Sequence, residues 1–127
     1  MDKGVFKMDL SIMESVFSDF DMDSFNMFHE IISLRWETIF DSASWDEYRN
    51  LALEIRSHNN YKILIECKGV DSFRFEGNGQ ISGFYIKDMS VRGYENNSRY
   101  EVGDYEENKL EFYCSDVLIK SLEKLER

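Results

Sequence analysis

The acidic spacing of Asp19, Asp21, Asp23 and Glu30 is the sharpest chemical pattern in this chain. Carboxylates at positions 1, 3, 5 and 12 of a loop are ligands of an EF-hand calcium site, which also needs a glycine at position 6. Ser24 takes the place of that glycine, and the residues that follow alternate like a strand rather than an exit helix. We therefore predict no metal site here but an acidic, exposed connection between a helix and a strand. The apolar residues expected to face the core from this segment are Phe20, Met22, Phe25 and Phe28.

A second acidic segment, later in the chain, interleaves carboxylates with tyrosines. Carboxylates attract a basic protein and flat rings give it contact area, so this pattern suits a protein-binding surface. The alternative is a polar hairpin whose tyrosine rings cap the edge of the core. The residues predicted to bind a partner are Tyr94, Glu95, Tyr100, Glu101, Asp104, Tyr105, Glu106 and Glu107, together with Asp19, Asp21 and Asp23.

Residues that could act as reagents are few and scattered. His29 and His58 lie near no nucleophile motif in sequence. Cys67 and Cys114 occupy apolar strand positions, which predicts two buried, reduced thiols, or a disulfide if their strands are neighbours. The segment Gly77–Gln80 lacks the lysine of a phosphate loop and is better explained as a hairpin turn. We therefore predict a protein that is not an enzyme and needs no cofactor.

The net charge of −10 is spread unevenly along the chain. Residues 9–47 carry ten acidic residues against the single base Arg35. A pI near 4.6 leaves no basic stripe for phosphates, so nucleic acid is disfavoured as a partner. The charge favours a basic protein partner, with an ordinary solubilising surface as the alternative. No apolar run approaches the ~20 residues of a membrane span, so we expect a cytoplasmic protein without membrane contact.

Alternating apolar and polar residues from about Tyr48 to Leu122 predict a series of half-buried strands joined by close turns. Before them, Ser11 and Glu14 have the spacing of a capping box, which predicts a short helix over 12–19. Ile32, Leu34 and Trp36 predict a first strand over 29–39 with one buried face. The expected fold is mainly β (α+β): a meandering antiparallel sheet or sandwich of about eight strands with one short N-terminal helix, in a single domain over 1–127.

Three stretches of the sequence resemble one family. They are FHEIISLRWE at 28–37, LIECKGVDSFRFE at 64–76 and LEFYCSDVLIKSL at 110–122. They are similar to the opening strand, the strand–turn–strand centre and the closing hairpin of small bacterial immunity proteins from polymorphic toxin systems, of the immunity protein fifty type. The resemblance implies a β-rich fold and inhibition of a cognate toxin by direct binding, without catalytic residues.

The leading hypothesis is therefore a non-enzymatic immunity protein that neutralises a cognate toxin, for example a basic nuclease, as a monomer or weak homodimer. A small-molecule or carbohydrate-binding β-module is the alternative; it requires an aromatic-lined pocket, for example near Trp36, Trp45 or His29. A homo-oligomer that pairs through an exposed edge strand is a third hypothesis.

Overall fold

The chain folds into two four-stranded antiparallel sheets, which confirms the predicted mainly β fold class. A computed structural model describes residues 8–90 and 99–126. Within them, the helical elements are α1 (Ser11–Glu14) and a 3-10 helix (Met22–Met27). The strands are β1 (Phe28–Asp41), β2 (Asp46–Ser57), β3 (Tyr61–Lys68), β4 (Asp71–Phe75), β5 (Phe84–Asp88), β6 (Tyr100–Asp104), β7 (Leu110–Cys114) and β8 (Asp116–Lys124).

The first sheet has the order β1-β2-β3-β8 and the second the order β4-β7-β6-β5. The chain builds three strands of the first sheet as consecutive hairpins, crosses to the second sheet for four strands, and returns as β8. The return is made at Ser115, whose backbone N–H and hydroxyl both donate to the carbonyl oxygen of Lys68, at 2.9 and 3.0 Å. These bonds hold the end of β7 against β3.

One apolar core draws side chains from both sheets. In β2, Leu51, Leu53 and Ile55 are fully buried, and the residues between them are more polar or smaller. This is the two-residue period expected for a strand with one buried face. Burial of each such side chain stabilises the fold by about 1.5–3 kcal/mol. The predicted core positions Phe20, Phe25 and Phe28 are also buried, and Met22 packs against them.

The N-terminal helix exists but is shorter than predicted. α1 ends at Glu14, and its first residue, Ser11, uses its backbone N–H to bond the Asp9 carboxylate at 2.9 Å. The predicted capping box between Ser11 and Glu14 is therefore wrong, because the N-cap residue is Leu10, whose side chain makes no hydrogen bond. After Glu14 the chain continues in turns, in which the N–H of Phe17 donates to the carbonyl oxygen of Met13 and the N–H of Phe20 to that of Phe17, and Phe20 is buried.

A capping box does occur one segment later, at the 3-10 helix. The Asp21 carboxylate accepts from the backbone N–H of Asp23 at 3.1 Å and from the Ser24 hydroxyl, and that hydroxyl accepts from the Asp21 N–H at 3.0 Å. Three acidic residues of this connection, Asp19, Asp21 and Asp23, are exposed, as predicted. Phe25 anchors the helix in the core with no exposed surface.

The hairpin β1–β2 extends beyond the rest of its sheet. Its ladder continues to the pair Asp41 and Asp46, whereas the ladder between β2 and β3 ends at Asn50 and Lys68. We call residues 36–49 the hairpin arm. The predicted buried face of β1 is therefore wrong in part. Leu34 packs on the core, but Ile32 lies in a β-bulge between Ile31 and Ser33 and is 47% exposed. Trp36, at the start of the hairpin arm, is 43% exposed.

Candidate functional site

A shallow depression of about 420 Å³ lies between the 3-10 helix, β5 and the turn that follows β6. It brings together Asp23 from the first acidic segment with Tyr105 and Glu106 from the second. Asn26 of the 3-10 helix and Tyr85 and Asp88 of β5 add to its polar lining, and Lys87 is the one cation among the described residues of that lining. We call the surface formed by Asp23, Tyr85, Asp88, Tyr105 and Glu106 the acidic tyrosine surface.

Two stacked tyrosines form the apolar part of this surface. The rings of Tyr85 and Tyr105 are 4.2 Å apart between centroids, with 21° between their planes, and Tyr105 remains 65% exposed. The Tyr85 hydroxyl donates to the Glu101 carboxylate at 2.7 Å. Burial, followed by this hydrogen bond, raises the pKa of Tyr85 far above its ordinary value. Tyr85 is therefore a fixed, neutral support, and Tyr105 is the ring that a partner can reach.

Gly103 in β6 makes room for the supporting ring. It lies opposite Tyr85 in the ladder between β5 and β6. A Cβ atom at this position would lie 2.6 Å from the carbonyl oxygen of Leu110 and 3.0 Å from the Tyr85 hydroxyl oxygen, both too close. Glycine at position 103 is therefore what leaves room for the Tyr85 ring.

Backbone hydrogen bonds fix the loop that presents Tyr105. Its N–H donates to the carbonyl oxygen of Gly83 at 3.0 Å, and the N–H of Glu106 donates to the carbonyl oxygen of Ser82 at 3.0 Å. The Ser82 hydroxyl also donates to the Glu106 carboxylate. Gly83 has a φ of +77°, a left-handed conformation that glycine adopts without strain. The exposed ring therefore stands on an ordered turn.

Asp104, predicted to contact a partner, is instead a buried structural residue with 2% exposure. One of its carboxylate oxygens accepts from the backbone N–H groups of Lys109 and Leu110, at 2.8 and 2.9 Å. The other accepts from the N–H of Ser82 at 3.3 Å. The assignment of Asp104 to a contact surface is wrong, because this carboxylate closes the turn after β6.

Tyr100 is the second correction among the predicted surface residues. Its side chain is 2% exposed, with the Arg99 guanidinium 5.1 Å from its ring centroid, and burial raises its pKa. This tyrosine belongs to the core edge, which is the alternative that the sequence left open. Glu101 is half-buried beneath Tyr85, whereas Glu107 is exposed near Lys109. Tyr94 and Glu95 lie outside the described residues.

Of the remaining acidic residues predicted to bind a partner, one is exposed at the surface and one has a structural role. Asp19 is exposed outside the lining of the depression, and Asp21 is engaged by the capping box. Sequence reasoning missed Asp88, whose burial would raise its pKa, but hydrogen bonds from Ser90 and the charge of Arg99 hold that pKa below its ordinary value. It also missed Tyr85, although the alternation of Phe84 and Ile86 inward places the residue between them outward.

A pair of stacked histidines lies at a second depression, of about 330 Å³. The rings of His29 and His58 are 3.9 Å apart and 6° from parallel. Burial, then the proximity of His58 and of Arg56, lowers the pKa of His29, with Glu30 acting in the opposite direction. Glu30 itself forms an ion pair with Arg56, so the twelfth position of the calcium register is already engaged. The lowered pKa of His29 favours its neutral form, which suits the close stack.

The two cysteines meet in the core. Cys67 of β3 and Cys114 of β7 are free thiols without exposed surface. A hydrogen bond between the two side chains, followed by burial, raises the pKa of Cys67 well above its ordinary value. The prediction of two buried, reduced thiols is confirmed, and both are inaccessible to substrates.

In residues 8–90 and 99–126, no group of three or more His, Cys, Asp or Glu side chains is arranged to hold a metal ion. None of the helices in the described part of the chain is long and apolar enough to cross a membrane.

Comparison of the chain with family models, curated proteins and solved structures gives no match. The resemblance to immunity proteins therefore stays a prediction that depends on the three sequence stretches alone.

Proposed function

We propose that this protein is a non-enzymatic immunity protein of the bacterial cytoplasm that neutralises a cognate toxin by binding it through the acidic tyrosine surface. The observation that carries the proposal is the exposed ring of Tyr105, which is stacked on Tyr85 and lines the same depression as Asp23 and Glu106. A rigid aromatic ring among fixed charges is typical of the anchor residues that dominate protein interfaces.

The charges of this surface define the chemistry of the partner. Asp88 is paired with Arg99, but the carboxylates of Asp23 and Glu106 still outnumber Lys87, the one cation among the lining residues that the structure describes, so the depression attracts lysine and arginine side chains. An arginine placed over the face of Tyr105 gains a further cation–π interaction, worth about 0.5–2 kcal/mol. A basic toxin, such as a nuclease with a phosphate-binding cleft, meets both requirements.

The buried thiols and the stacked histidines support binding rather than catalysis. Cys67 and Cys114 share a hydrogen bond out of reach of solvent, and His29 is engaged by a neighbouring ring. Nucleophilic catalysis needs an accessible nucleophile within hydrogen-bond distance of a base. A toxin inhibitor needs only surface complementarity, which the acidic tyrosine surface offers.

Co-expression with the protein encoded next to this gene tests the proposal. The C-terminal domain of the immediately upstream gene product, expressed alone, should arrest growth, and this chain should restore growth and co-purify with that domain. The Tyr105→Ala variant should restore growth less well, whereas the Trp45→Ala variant, changed on the hairpin arm, should match the wild type. A neighbour that arrests growth but neither binds this chain nor is neutralised by it would contradict the proposal.

One observation favours the alternative, a carbohydrate-binding module. A depression of about 470 Å³ beside the hairpin arm is lined by the rings of Trp36, Tyr48 and Phe73 and by the charged groups of Glu47 and Arg49. Aromatic faces with adjacent hydrogen-bonding groups are typical of small-molecule sites. Titration of the tryptophan fluorescence with a glycan panel tests this candidate: a saturable change that Trp36→Ala abolishes would favour it, and no response would remove it.

A further inference from the structure

The outer edge of β1 is covered over its first residues and free over the rest. The segment 79–81 runs beside residues 29–31: the N–H of Ile31 donates to the carbonyl oxygen of Gly79 at 2.7 Å, and the N–H of Ile81 donates to that of His29 at 2.9 Å. Beyond this cover, residues 33–41 have β2 as their only strand partner within residues 8–90 and 99–126. A free strand edge presents backbone donors and acceptors that another strand can satisfy.

The free part of this edge lacks two of the residue types that protect natural edge strands from pairing. Residues 33–41 contain neither proline nor lysine, which natural edge strands use to discourage pairing. At the opposite edge of the same sheet, β8 carries Lys120 and Lys124, both exposed. Three of the seven exposed large hydrophobic side chains in the described residues lie on β1. They are Ile32, Trp36 and Phe40.

The charges of this edge are complementary to those of a second copy in one register. If two copies of β1 run antiparallel with Trp36 opposite itself, Arg35 of each copy faces Glu37 of the other. A shift of two residues in one direction sets Arg35 opposite itself, and a shift in the other direction sets Glu37 opposite itself. Like charges directly opposite each other destabilise an antiparallel pair, and opposite charges stabilise it by about 0.2–1 kcal/mol. A one-residue shift would place the core-facing side chains of the two copies on opposite faces of the joined sheet.

We propose that the protein forms a two-fold symmetric homodimer in which the free edges of β1 pair antiparallel, centred on Trp36. The two four-stranded sheets then join into one continuous sheet, with β1 of each copy at the centre. Each contact in this interface occurs twice, once from each copy, as two-fold symmetry requires.

The exposed ring of Trp36 gains cover in this arrangement. The ring of Trp36 contacts that of Phe73, with 5.3 Å between centroids. In the dimer it also lies next to Trp36 of the second copy at the symmetry axis. Leu34 of each copy, already packed on the core, falls opposite Thr38 of the other. The opposite charges of Arg35 and Glu37 on either side of Trp36 favour a second copy over a foreign strand, because the segment is complementary to itself.

Sedimentation velocity across low micromolar to submillimolar protein concentrations tests the dimer. The wild type should shift from monomer to dimer as concentration rises. Arg35→Glu and Glu37→Arg each set like charges opposite one another, and each should raise the dimer dissociation constant about tenfold or more. Both side chains are exposed, and circular dichroism should confirm that both variants fold. Lys120→Glu on β8 is the matched control and should leave the dimer unchanged.

A mixture of the two single variants gives the sharpest result. One variant then supplies two glutamates and the other two arginines, so a mixed dimer has opposite charges in both pairs and should form although neither variant dimerises alone. The Arg35→Glu/Glu37→Arg double variant should dimerise like the wild type. A wild type that remains monomeric, a dimer that survives both single changes, or a dimer lost in Lys120→Glu would overturn the proposal. The proposal would also be overturned if the wild type were monomeric and the Arg35→Glu variant no longer bound the upstream toxin, because this edge would then belong to the toxin interface.

Discussion

The acidic tyrosine surface and the hairpin arm both expose aromatic rings, but the chain supports them differently. Tyr105 stands on a stacked ring, a glycine and two backbone hydrogen bonds. Trp45 stands at the tip of a two-stranded arm, 81% exposed, where its ring contacts Phe40 with 5.9 Å between centroids. The first surface presents side chains in a fixed geometry, which suits recognition of a particular partner. The second presents a backbone edge, which suits strand pairing.

Filling the space beneath Tyr85 should disrupt the acidic tyrosine surface and cause the largest loss of stability among these variants. Gly103→Ala places a Cβ atom against the Leu110 carbonyl oxygen and the Tyr85 ring. Overpacking of this kind costs about 1–3 kcal/mol, and the displaced ring should weaken partner binding as well. Urea denaturation measures the change. Thr38→Ala on the hairpin arm is the control and should stay within about 0.5 kcal/mol. Equal costs for both variants would mean that the two regions are supported alike.

Changing the exposed rings should separate the two regions by function. Tyr105→Ala should weaken the toxin complex by about 2 kcal/mol, mainly through faster dissociation, because it removes a central aromatic anchor. Trp45→Ala should leave that dissociation rate unchanged. Surface plasmon resonance with the purified toxin domain gives both rates. If Trp45→Ala has the larger effect, the toxin binds the arm instead.

The covered end of β1 should respond to pH through His29, whereas the arm should not. The pKa of His29 is lowered in the folded state, so the unfolded chain takes up this proton first as the pH falls. The stabilising contribution is therefore fully present above the unfolded value of about 6.5 and decreases below it. The free energy of unfolding of the wild type should exceed that of His29→Gln by less at about pH 5 than at about pH 8. A difference that grows on acidification would have the wrong sign.

Calcium should have the smallest effect of all. Asp21 is engaged by the capping box and Glu30 by Arg56, so the acidic segment offers the ion an incomplete set of ligands. Thermal melts with calcium and with chelator should coincide. A melting temperature that rises with micromolar calcium would show binding to the folded state and would contradict this prediction.

Sequence pattern was sufficient where neighbouring residues determine the structure. Leu51, Leu53 and Ile55 alternate with more polar or smaller residues, and such alternation predicts a strand and its buried face without knowledge of the fold. The length by which the hairpin arm projects depends instead on where β3 ends, and β1 alone carries no sign of it. Trp36 was therefore expected inside although it is half exposed.

The candidate site was predictable only in part for a similar reason. Asp104 and Glu106 are both acidic residues in one short segment, yet the first is buried against the backbone N–H groups of Lys109 and Leu110 and the second is exposed. That difference is set by the turn between β6 and β7, which folds back onto Asp104, and by the contact of Asp104 with Ser82. Similarly, the meeting of Asp23 with Tyr105 depends on how the 3-10 helix packs against β5.

The dependence of the toxin association rate on salt tests the central claim most directly. Stopped-flow mixing would compare the wild type with Asp23→Asn/Glu106→Gln/Glu107→Gln, which neutralises three exposed carboxylates and leaves the buried Asp104 intact. Salt limits the reach of charge to about 8 Å at physiological ionic strength, so the wild-type rate should fall steeply as salt rises. The variant should associate more slowly at low salt and show a flatter dependence. Identical rates and slopes for the two proteins would contradict the claim that the acidic tyrosine surface captures the toxin.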